Sequence, residues 1–203
     1  MSELIAITIG DIKGIGIQIL LDSWKNKKIK NFILFTDIKY FKISIKNKYF
    51  LKKINLILEN KKINYDKNKI NIYSYSSSSN EDNTYQSLKF AYMFCKKNIC
   101  IGLITLPLRK DLIKEKIDRN FIGHTEYYQK LEKQKFSNMI LFHKKIIVST
   151  ITTHIAVKDI SKFINNKDYL YNQILNLYNT LKIDFNIKNP KLVISGLNPH
   201  AGE

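Results

Sequence analysis

The chain alternates short apolar runs of strand length with stretches in which apolar residues recur at helical spacing. Residues 4–9 form the first run, which ends at Gly10, and a glycine-bearing turn then leads into a helical pattern over 17–24. Residues 84–97 place apolar side chains at i, i+3, i+4 and i+7, and a strand pattern over 99–105 follows. This alternation predicts an α/β fold with layered α/β/α architecture and a largely parallel sheet.

The other predicted elements are bounded in the same way by polar or turn-forming segments. Further strands are predicted over 32–36, 54–58, 70–73, 138–142, 146–151 and 191–195, and helices over 111–117, 125–133, 158–164 and 169–181. A polar loop is expected over 76–83, and Lys144 and Lys145 are expected to form a turn. The length of 203 residues suits one domain of ordinary size, or a domain and a half.

The formal charge of +17 raises the possibility of a nucleic-acid partner. All but two of the 34 basic residues are lysine, and only Arg109 and Arg119 offer the planar fork that reads guanine edges and phosphates. The lysines are also spread along the whole chain. We interpret most of the charge as compositional bias and expect no specific nucleic-acid partner. A protein that uses its charge to bind polyanions stays an alternative.

The sequence predicts neither a membrane partner nor a disulfide framework. No apolar stretch approaches the 18 residues that a membrane span needs, and the N-terminus lacks the pattern of a signal peptide. We therefore expect a cytoplasmic protein. Cys95 and Cys100 are expected to be small buried hydrophobic residues rather than partners in a disulfide or zinc cluster.

Glycine occurs only seven times, and three glycines share the first turn. Gly10, Gly14 and Gly16 separate a strand from a helix, where bare N–H groups at a helix N-terminus can cradle a phosphate. The spacing differs from the G-x-G-x-x-G dinucleotide pattern, and a tight strand–helix turn explains it equally well.

The segment around His124 is a candidate for substrate binding. Gly123 frees the backbone before His124, which can hydrogen-bond an anionic substrate. Thr125 suits the N-cap of the following helix, and capping alone would explain it. His143, beside the predicted lysine turn, is expected to be exposed to solvent.

Two further histidines are candidate metal ligands. His154 follows an apolar strand, and His200 follows the strand predicted over 191–195. Ligand crevices of open α/β sheets lie at such strand ends, so two imidazoles there can converge on one divalent metal. A metal site needs three or more protein ligands, and the sequence offers two good candidates. A structural role for each histidine stays open.

Taken in order, these motifs resemble the 4-hydroxythreonine-4-phosphate dehydrogenases of pyridoxal phosphate biosynthesis. Residues 10–16 are similar to the family's opening Gly-Asp-Pro-Ala-Gly-Ile-Gly segment, and residues 105–110 to its Thr-Gly-Pro-Ile-Asn-Lys segment. The family's Gly-His-Thr-Glu-Tyr occurs in full at 123–127, and its Thr-Thr-His at 152–154. The segment 196–203 matches without interruption.

The resemblance implies a fold like that of isocitrate and isopropylmalate dehydrogenases, with a first α/β domain over 1–122 and a second over 123–203. It implies a homodimer, once the second domain is complete, that oxidises 4-phosphooxy-L-threonine with NAD or NADP. The oxidised product then loses carbon dioxide to give 3-amino-2-oxopropyl phosphate. A divalent metal, zinc, magnesium or cobalt, assists.

The resemblance also assigns the candidate residues. His124 and Thr125 are implied to contact the substrate, and His154 and His200 to bind the metal. Family members continue for a further C-terminal third, which holds a third metal-binding histidine and most of the cofactor site. We therefore expect an incomplete second domain, with three alternatives: a fragment, one half of a split enzyme, or an inactive remnant.

Overall fold

The computed structural model describes residues 3–45, 47–59, 61–144, 146–198 and 200. Contacts among them divide the chain into two compact units, Met1–Tyr128 and Gln129–Glu203. The division into domains at residues 122 and 123 stays a prediction.

The first unit contains a five-stranded parallel sheet. Its strands are β1 (Ile5–Thr8), β2 (Phe32–Phe35), β3 (Ile54–Leu58), β4 (Ile70–Ser74) and β5 (Gly102–Thr105). Their order is β3-β4-β2-β1-β5, so the first strand of the chain lies between β2 and β5. All four pairings are parallel, which confirms the predicted α/β fold.

Among the described residues, four helices lie in connections between these strands, and two more follow β5. They are α1 (Gly16–Lys25), α2 (Ile38–Ser44), α3 (Lys48–Leu51), α4 (Asn80–Lys96), α5 (Lys110–Lys116) and α6 (His124–Leu131). The short α2 and α3 were not predicted. The loop expected over 76–83 is wrong in its second half, because the Ser79 hydroxyl accepts a hydrogen bond from the Asp82 N–H at 3.0 Å and so caps α4 at Asn80. No helix in the described residues is long and apolar enough to cross a membrane.

Successive side chains of a strand point to opposite faces of the sheet, and the central strands β1 and β2 are buried on both faces. Ile7 and Leu34 pack in one cluster with α1, and their neighbours Ala6 and Ile33 pack in another with α4. Burial on both faces explains why these strands are uninterrupted apolar runs. Cys100 is buried as predicted, whereas Cys95 is only half-buried at the edge of the second cluster, which corrects that prediction.

The second unit contains a β-hairpin and helices. Strands β6 (Ile140–His143) and β7 (Ile146–Ser149) are antiparallel, and a 3₁₀ turn over Val157–Asp159 precedes α7 (Ile160–Ile164) and α8 (Lys167–Ile183). The Asn138 side-chain amide donates to the Thr180 hydroxyl at 2.8 Å and ties the segment before β6 to α8. His143 is exposed as predicted, although it ends a strand. Lys145, half of the predicted turn, lies outside the described residues.

The strand predicted over 191–195 is wrong, because this segment has no regular structure. The Val193 side chain is 96% exposed, and no neighbouring strand pairs with the segment among the described residues. An apolar run becomes a strand only when a partner satisfies its backbone N–H and C=O groups.

Gly10, just after β1, has a backbone conformation that admits no side chain. Its φ is +65°, and a Cβ there would lie 2.4 Å from the Pro107 carbonyl oxygen. We expect Gly10→Ala to lower the free energy of unfolding by more than about 2 kcal/mol, because the left-handed backbone already costs about 1–2 kcal/mol and the clash adds to that cost.

Gly102→Ala is the matched control, since no atom of the described residues lies within 4 Å of the Cβ position at Gly102. Urea unfolding followed by circular dichroism measures both variants. Similar unfolding midpoints for the two would contradict the constraint at Gly10.

Candidate functional site

The carboxyl ends of the five parallel strands meet at one edge of the sheet, which is where open α/β sheets bind ligands. The segments after β1 and β5 touch at this edge. The Asp11 N–H donates to the Pro107 carbonyl at 2.8 Å, and a Cβ on Gly16 would lie 3.1 Å from the Leu106 Cβ. The first turn and the segment leading to α5 therefore form one continuous rim.

Asp11 organises the first turn itself. One carboxylate oxygen accepts the Lys13 N–H at 3.0 Å, and the Asp11 carbonyl accepts the Gly14 N–H at 3.0 Å. Helix α1 has no side-chain cap. The segment is thus a tight strand–helix turn, and phosphate binding by it stays a prediction.

The start of α4 adds two polar groups to this rim. The Thr84 hydroxyl donates to the Gly10 carbonyl at 2.8 Å. The Asn80 side-chain oxygen is buried, has no hydrogen-bond partner among the described residues, and lines a small cleft with Asp11 and Arg109. A buried acceptor without a donor costs about 1–3 kcal/mol, so the cleft favours water or a ligand that donates to it.

Asp37 and Asn83, which sequence reasoning missed, serve the architecture of this edge. The Asp37 carboxylate accepts bonds from the Ser77 N–H and hydroxyl at 3.1 and 3.0 Å, and the Asn83 side-chain oxygen accepts the Asp37 N–H at 2.7 Å. These bonds join the ends of β2 and β4 to α4. Because their partners are distant in sequence, no local motif identifies them.

His124 is placed at the start of α6, beside a lysine. A Cβ on Gly123 would lie 3.0 Å from both the Lys110 ammonium and a Glu126 carboxylate oxygen, so both charged groups adjoin the backbone just before His124. The His124 Nε2 atom is buried and has no hydrogen-bond partner among the described residues. It is the strongest indication of a ligand contact at this edge.

Burial lowers the pKa of His124, the positive charge of Lys110 lowers it further, and Glu126 opposes the shift. The imidazole is therefore neutral at neutral pH and has one nitrogen that can accept a hydrogen bond and one that can donate. A neutral ring beside a cation suits a ligand that carries both a hydroxyl and an anionic group.

Contacts between aromatic rings hold α6 in place. The Tyr127 ring lies 5.4 Å from the Tyr85 ring and 6.0 Å from the Phe121 ring, measured between centroids. Thr125 is half-buried as the second residue of the helix, so its prediction as an N-cap is wrong, because the helix already begins at His124.

Arg109 and Lys110 end the Thr-Leu-Pro-Leu-Arg-Lys motif and have different neighbours. The Arg109 guanidinium binds both carboxylate oxygens of Asp111, one of them at 2.9 Å, and holds the pKa of that exposed carboxyl at about 2. Lys110, in contrast, adjoins Gly123 and the unpaired histidine. Lys110 is the residue that joins this motif to the site, a role that only the fold reveals.

The two candidate metal ligands lie in the second unit. His154 is exposed, with φ +58°, and comes after β7, which pairs only antiparallel. His200 is exposed, and its N–H donates to the Asn198 side chain at 3.0 Å. The argument that each follows a strand of one open parallel sheet is therefore wrong for the described residues. Pro199 and residues 201–203 of the last motif lie outside them.

Imidazoles are good ligands for a divalent metal, but a site needs at least three donors. Within the described ranges, no three side chains of His, Cys, Asp or Glu form a group that could hold a metal ion. The described residues do not make a metal site by themselves.

The sheet and its edge define an α/β protein whose candidate functional site is the rim after β1 and β5. The chain matches the family model described as pyridoxal phosphate biosynthetic protein PdxA over residues 25–203, and it belongs to this family.

Individual relatives agree with this membership. The chain is 34% identical to a 4-hydroxythreonine-4-phosphate dehydrogenase of Sulfurihydrogenibium, over 98% of this chain and 64% of that protein. It is 35% identical to the enzyme of the same name from Wigglesworthia glossinidia brevipalpis, over 61% of this chain and 38% of that protein. The chain thus spans less than two thirds of the length of these relatives.

Solved structures share the fold. A structure from Salmonella typhimurium has a TM-score of 0.81 at 21% identity and covers 99% of this chain and 66% of its own. A 4-hydroxythreonine-4-phosphate dehydrogenase from Klebsiella pneumoniae has a TM-score of 0.76 at 19% identity, with coverage of 99% and 66%.

The environment of His124 predicts a pH effect on stability. Its pKa is lowered in the folded state, so the stability it contributes is full above its ordinary value of 6.5 and is lost as pH falls through the lower folded pKa. We expect the urea concentration at the unfolding midpoint to decrease as the pH is lowered from 7.5 to 5.5. The decrease should be smaller in His124→Gln.

His143→Gln is the control, because that histidine is exposed. Carboxyl groups whose pKa is lowered, such as Glu81, change their protonation below pH 5.5 and so do not contribute to this pH dependence. A pH dependence that His124→Gln leaves unchanged would contradict the assignment.

Proposed function

We propose that this chain forms the substrate-binding part of a 4-hydroxythreonine-4-phosphate dehydrogenase. Family membership over residues 25–203 and the names of its relatives support this proposal. In the reaction, the secondary alcohol of 4-phosphooxy-L-threonine is oxidised to a ketone: its carbon gives a hydride to NAD(P)+ and its hydroxyl releases a proton. The 3-oxo acid then loses carbon dioxide and leaves 3-amino-2-oxopropyl phosphate.

The observation that carries the proposal is the buried, unpaired Nε2 of His124 close to Lys110. The substrate offers what these groups need: a phosphate for the ammonium, and oxygen functions for the neutral imidazole. The N-terminus of α6 adds a partial positive charge at the same place.

Each residue then has a positioning task. Lys110 attracts the substrate phosphate, and His124 hydrogen-bonds to the substrate and fixes its orientation on the rim. Thr125, in the first turn of α6, contributes its hydroxyl as a second contact. Because the imidazole is neutral, it neither repels Lys110 nor competes with it for the phosphate charge.

Substrate binding tests these roles. We expect Lys110→Met and His124→Gln each to weaken binding of 4-hydroxythreonine-4-phosphate by about tenfold to a hundredfold, since a hydrogen bond to a charged group contributes about 1.5–3 kcal/mol. Isothermal calorimetry measures affinity, and absorbance at 340 nm measures NAD(P)+ reduction by the same protein.

Lys114→Met is the matched control, because Lys114 is an exposed lysine of α5 and the charge change is identical. An equal loss in this control would show a general charge effect and contradict the role of Lys110. Absence of substrate binding by the unaltered chain would overturn the proposal itself.

The metal and cofactor assignments stay predictions. His154 and His200 remain the two candidate metal ligands on the strength of the resemblance. The metal would polarise the alcohol oxygen of the substrate when bound. The choice between NAD and NADP, the cytoplasmic location and the lack of a nucleic-acid partner stay predictions as well.

We also propose that the protein forms a homodimer through the β6–β7 hairpin. Leu141 and Val148 are directly paired across the strands, so they share one face with Ile146, and each of the three is more than half exposed. Exposed apolar patches of this kind mark protein–protein interfaces.

Sedimentation velocity tests the dimer. We expect Val148→Lys to shift the protein towards monomer, because a charge in the patch must be desolvated on association. Val157→Lys is the control, as Val157 is also exposed but lies in the 3₁₀ turn. A monomeric unaltered protein, or equal effects of the two substitutions, would contradict this interface.

A further inference from the structure

A groove of about 460 Å³ opens at the edge of the first-unit sheet opposite the candidate active site. It lies at the amino ends of β2 and β4, where Phe32 starts β2 and Lys69 directly precedes β4. Strands of four or five residues rise about 3.3 Å per residue, so roughly 15 Å separates the two edges. The groove is therefore not part of the rim that carries His124.

The groove is strongly cationic. Its described lining contains no carboxylate and five exposed lysines, which are Lys25, Lys27, Lys30, Lys67 and Lys69. Lys69 is paired with Asp66 at 3.6 Å. Several like charges around one concavity repel one another and focus a positive potential, which an anion relieves.

Four aromatic residues, Trp24, Phe32, Tyr49 and Tyr65, line the groove with these lysines. The Trp24 and Tyr49 rings lie 6.4 and 5.4 Å from the ring of Phe50, which is buried, so packing sets their orientation. The Tyr65 hydroxyl donates to the Asn31 side-chain oxygen at 3.2 Å, and burial raises the pKa of Tyr65, which keeps it neutral. The groove thus offers apolar ring surface as well as charge.

Buried hydrogen bonds hold one wall in place. Asn71 is fully buried, and its side-chain amide donates to the carbonyls of Asp66 and Lys69 at 2.9 and 3.1 Å. Its side-chain oxygen accepts the Asp66 N–H at 2.8 Å. The segment that carries Lys67 and Lys69 is therefore shaped by the core rather than by its own surface composition.

The end of α1 shapes the other wall. The Lys28 and Ile29 N–H groups both donate to the Ser23 carbonyl, at 2.8 and 3.3 Å, and close the last turn of the helix. Lys27 and Asn31 adopt left-handed backbone conformations, with φ of +58° and +53°, and bend the loop around the groove. Such conformations are uncommon for residues with a Cβ.

We propose that this groove binds a nucleoside di- or triphosphate. The volume suits a ligand of nucleotide size, given that small-molecule sites occupy about 300–1,000 Å³. The base would stack on the ring surface of Trp24 and Tyr49, and the phosphates would lie among the lysines. The site is independent of the substrate site proposed above and would accept several bases, because stacking does not read base edges.

The position of Trp24 supplies a direct measurement. The chain has one tryptophan, so tryptophan fluorescence reports on this groove. We expect ATP and ADP to quench it saturably at 0.15 M salt, with ATP binding at least about tenfold more tightly than adenosine or inorganic tripolyphosphate. Equal binding of tripolyphosphate would show a general anion patch and overturn the proposal.

Lysine variants test whether ATP binds in this groove or is attracted by the overall positive charge of the protein. We expect Lys27→Gln combined with Lys67→Gln to weaken ATP binding by about tenfold or more. Lys89→Gln combined with Lys114→Gln removes the same charge from exposed lysines of α4 and α5 and should change the affinity less than about twofold. Equal losses in the two double variants would overturn the site.

Stacking has its own test. Tyr49→Ala keeps the Trp24 reporter, and we expect it to weaken ATP binding by about tenfold while leaving tripolyphosphate binding unchanged. Circular dichroism checks that each variant remains folded. If a single-stranded oligonucleotide bound more tightly than ATP per site, the preferred ligand would be a nucleic acid. That result would overturn the proposal.

Discussion

The close contact between the turn after β1 and the segment after β5 is the constraint on which the candidate site depends. β1 pairs with both β2 and β5, so it joins the two halves of the sheet. At its end, Gly10 lies so near the Pro107 backbone that only glycine fits. This contact sets where the chain leaves the sheet and enters the segment that carries Lys110.

The two edges of this sheet have different electrostatic characters. At the carboxyl edge, the Asp37 and Asn83 side chains are already hydrogen-bonded to the backbone. There, one lysine lies near the neutral, half-buried His124, whose Nε2 atom is buried. Such an edge suits one orienting contact with an anionic substrate. At the amino edge, lysines and aromatic rings line an open groove, which suits a larger anion with a flat ring.

The second unit contains a two-stranded hairpin and helices. A two-stranded hairpin is marginal in water by itself, and here its exposed Leu141 and Val148 leave apolar surface uncovered. Within the unit, the bond from Asn138 to Thr180 connects the approach to this hairpin with α8. The apolar surface is what an interface between subunits would cover.

The sequence by itself determined the parallel α/β sheet, because strands buried on both faces must be continuous apolar runs. It also located His124, since a glycine and a histidine at a helix start are a local pattern. It predicted a strand over 191–195, and that prediction is wrong, because the apolar residues there have no strand partner among the described residues. Only the tertiary structure brought Lys110 to His124, and Lys27 to Lys67 across the ends of β2 and β4. Such neighbours arise from strand pairing between distant segments, and local periodicity carries no information about which segments pair.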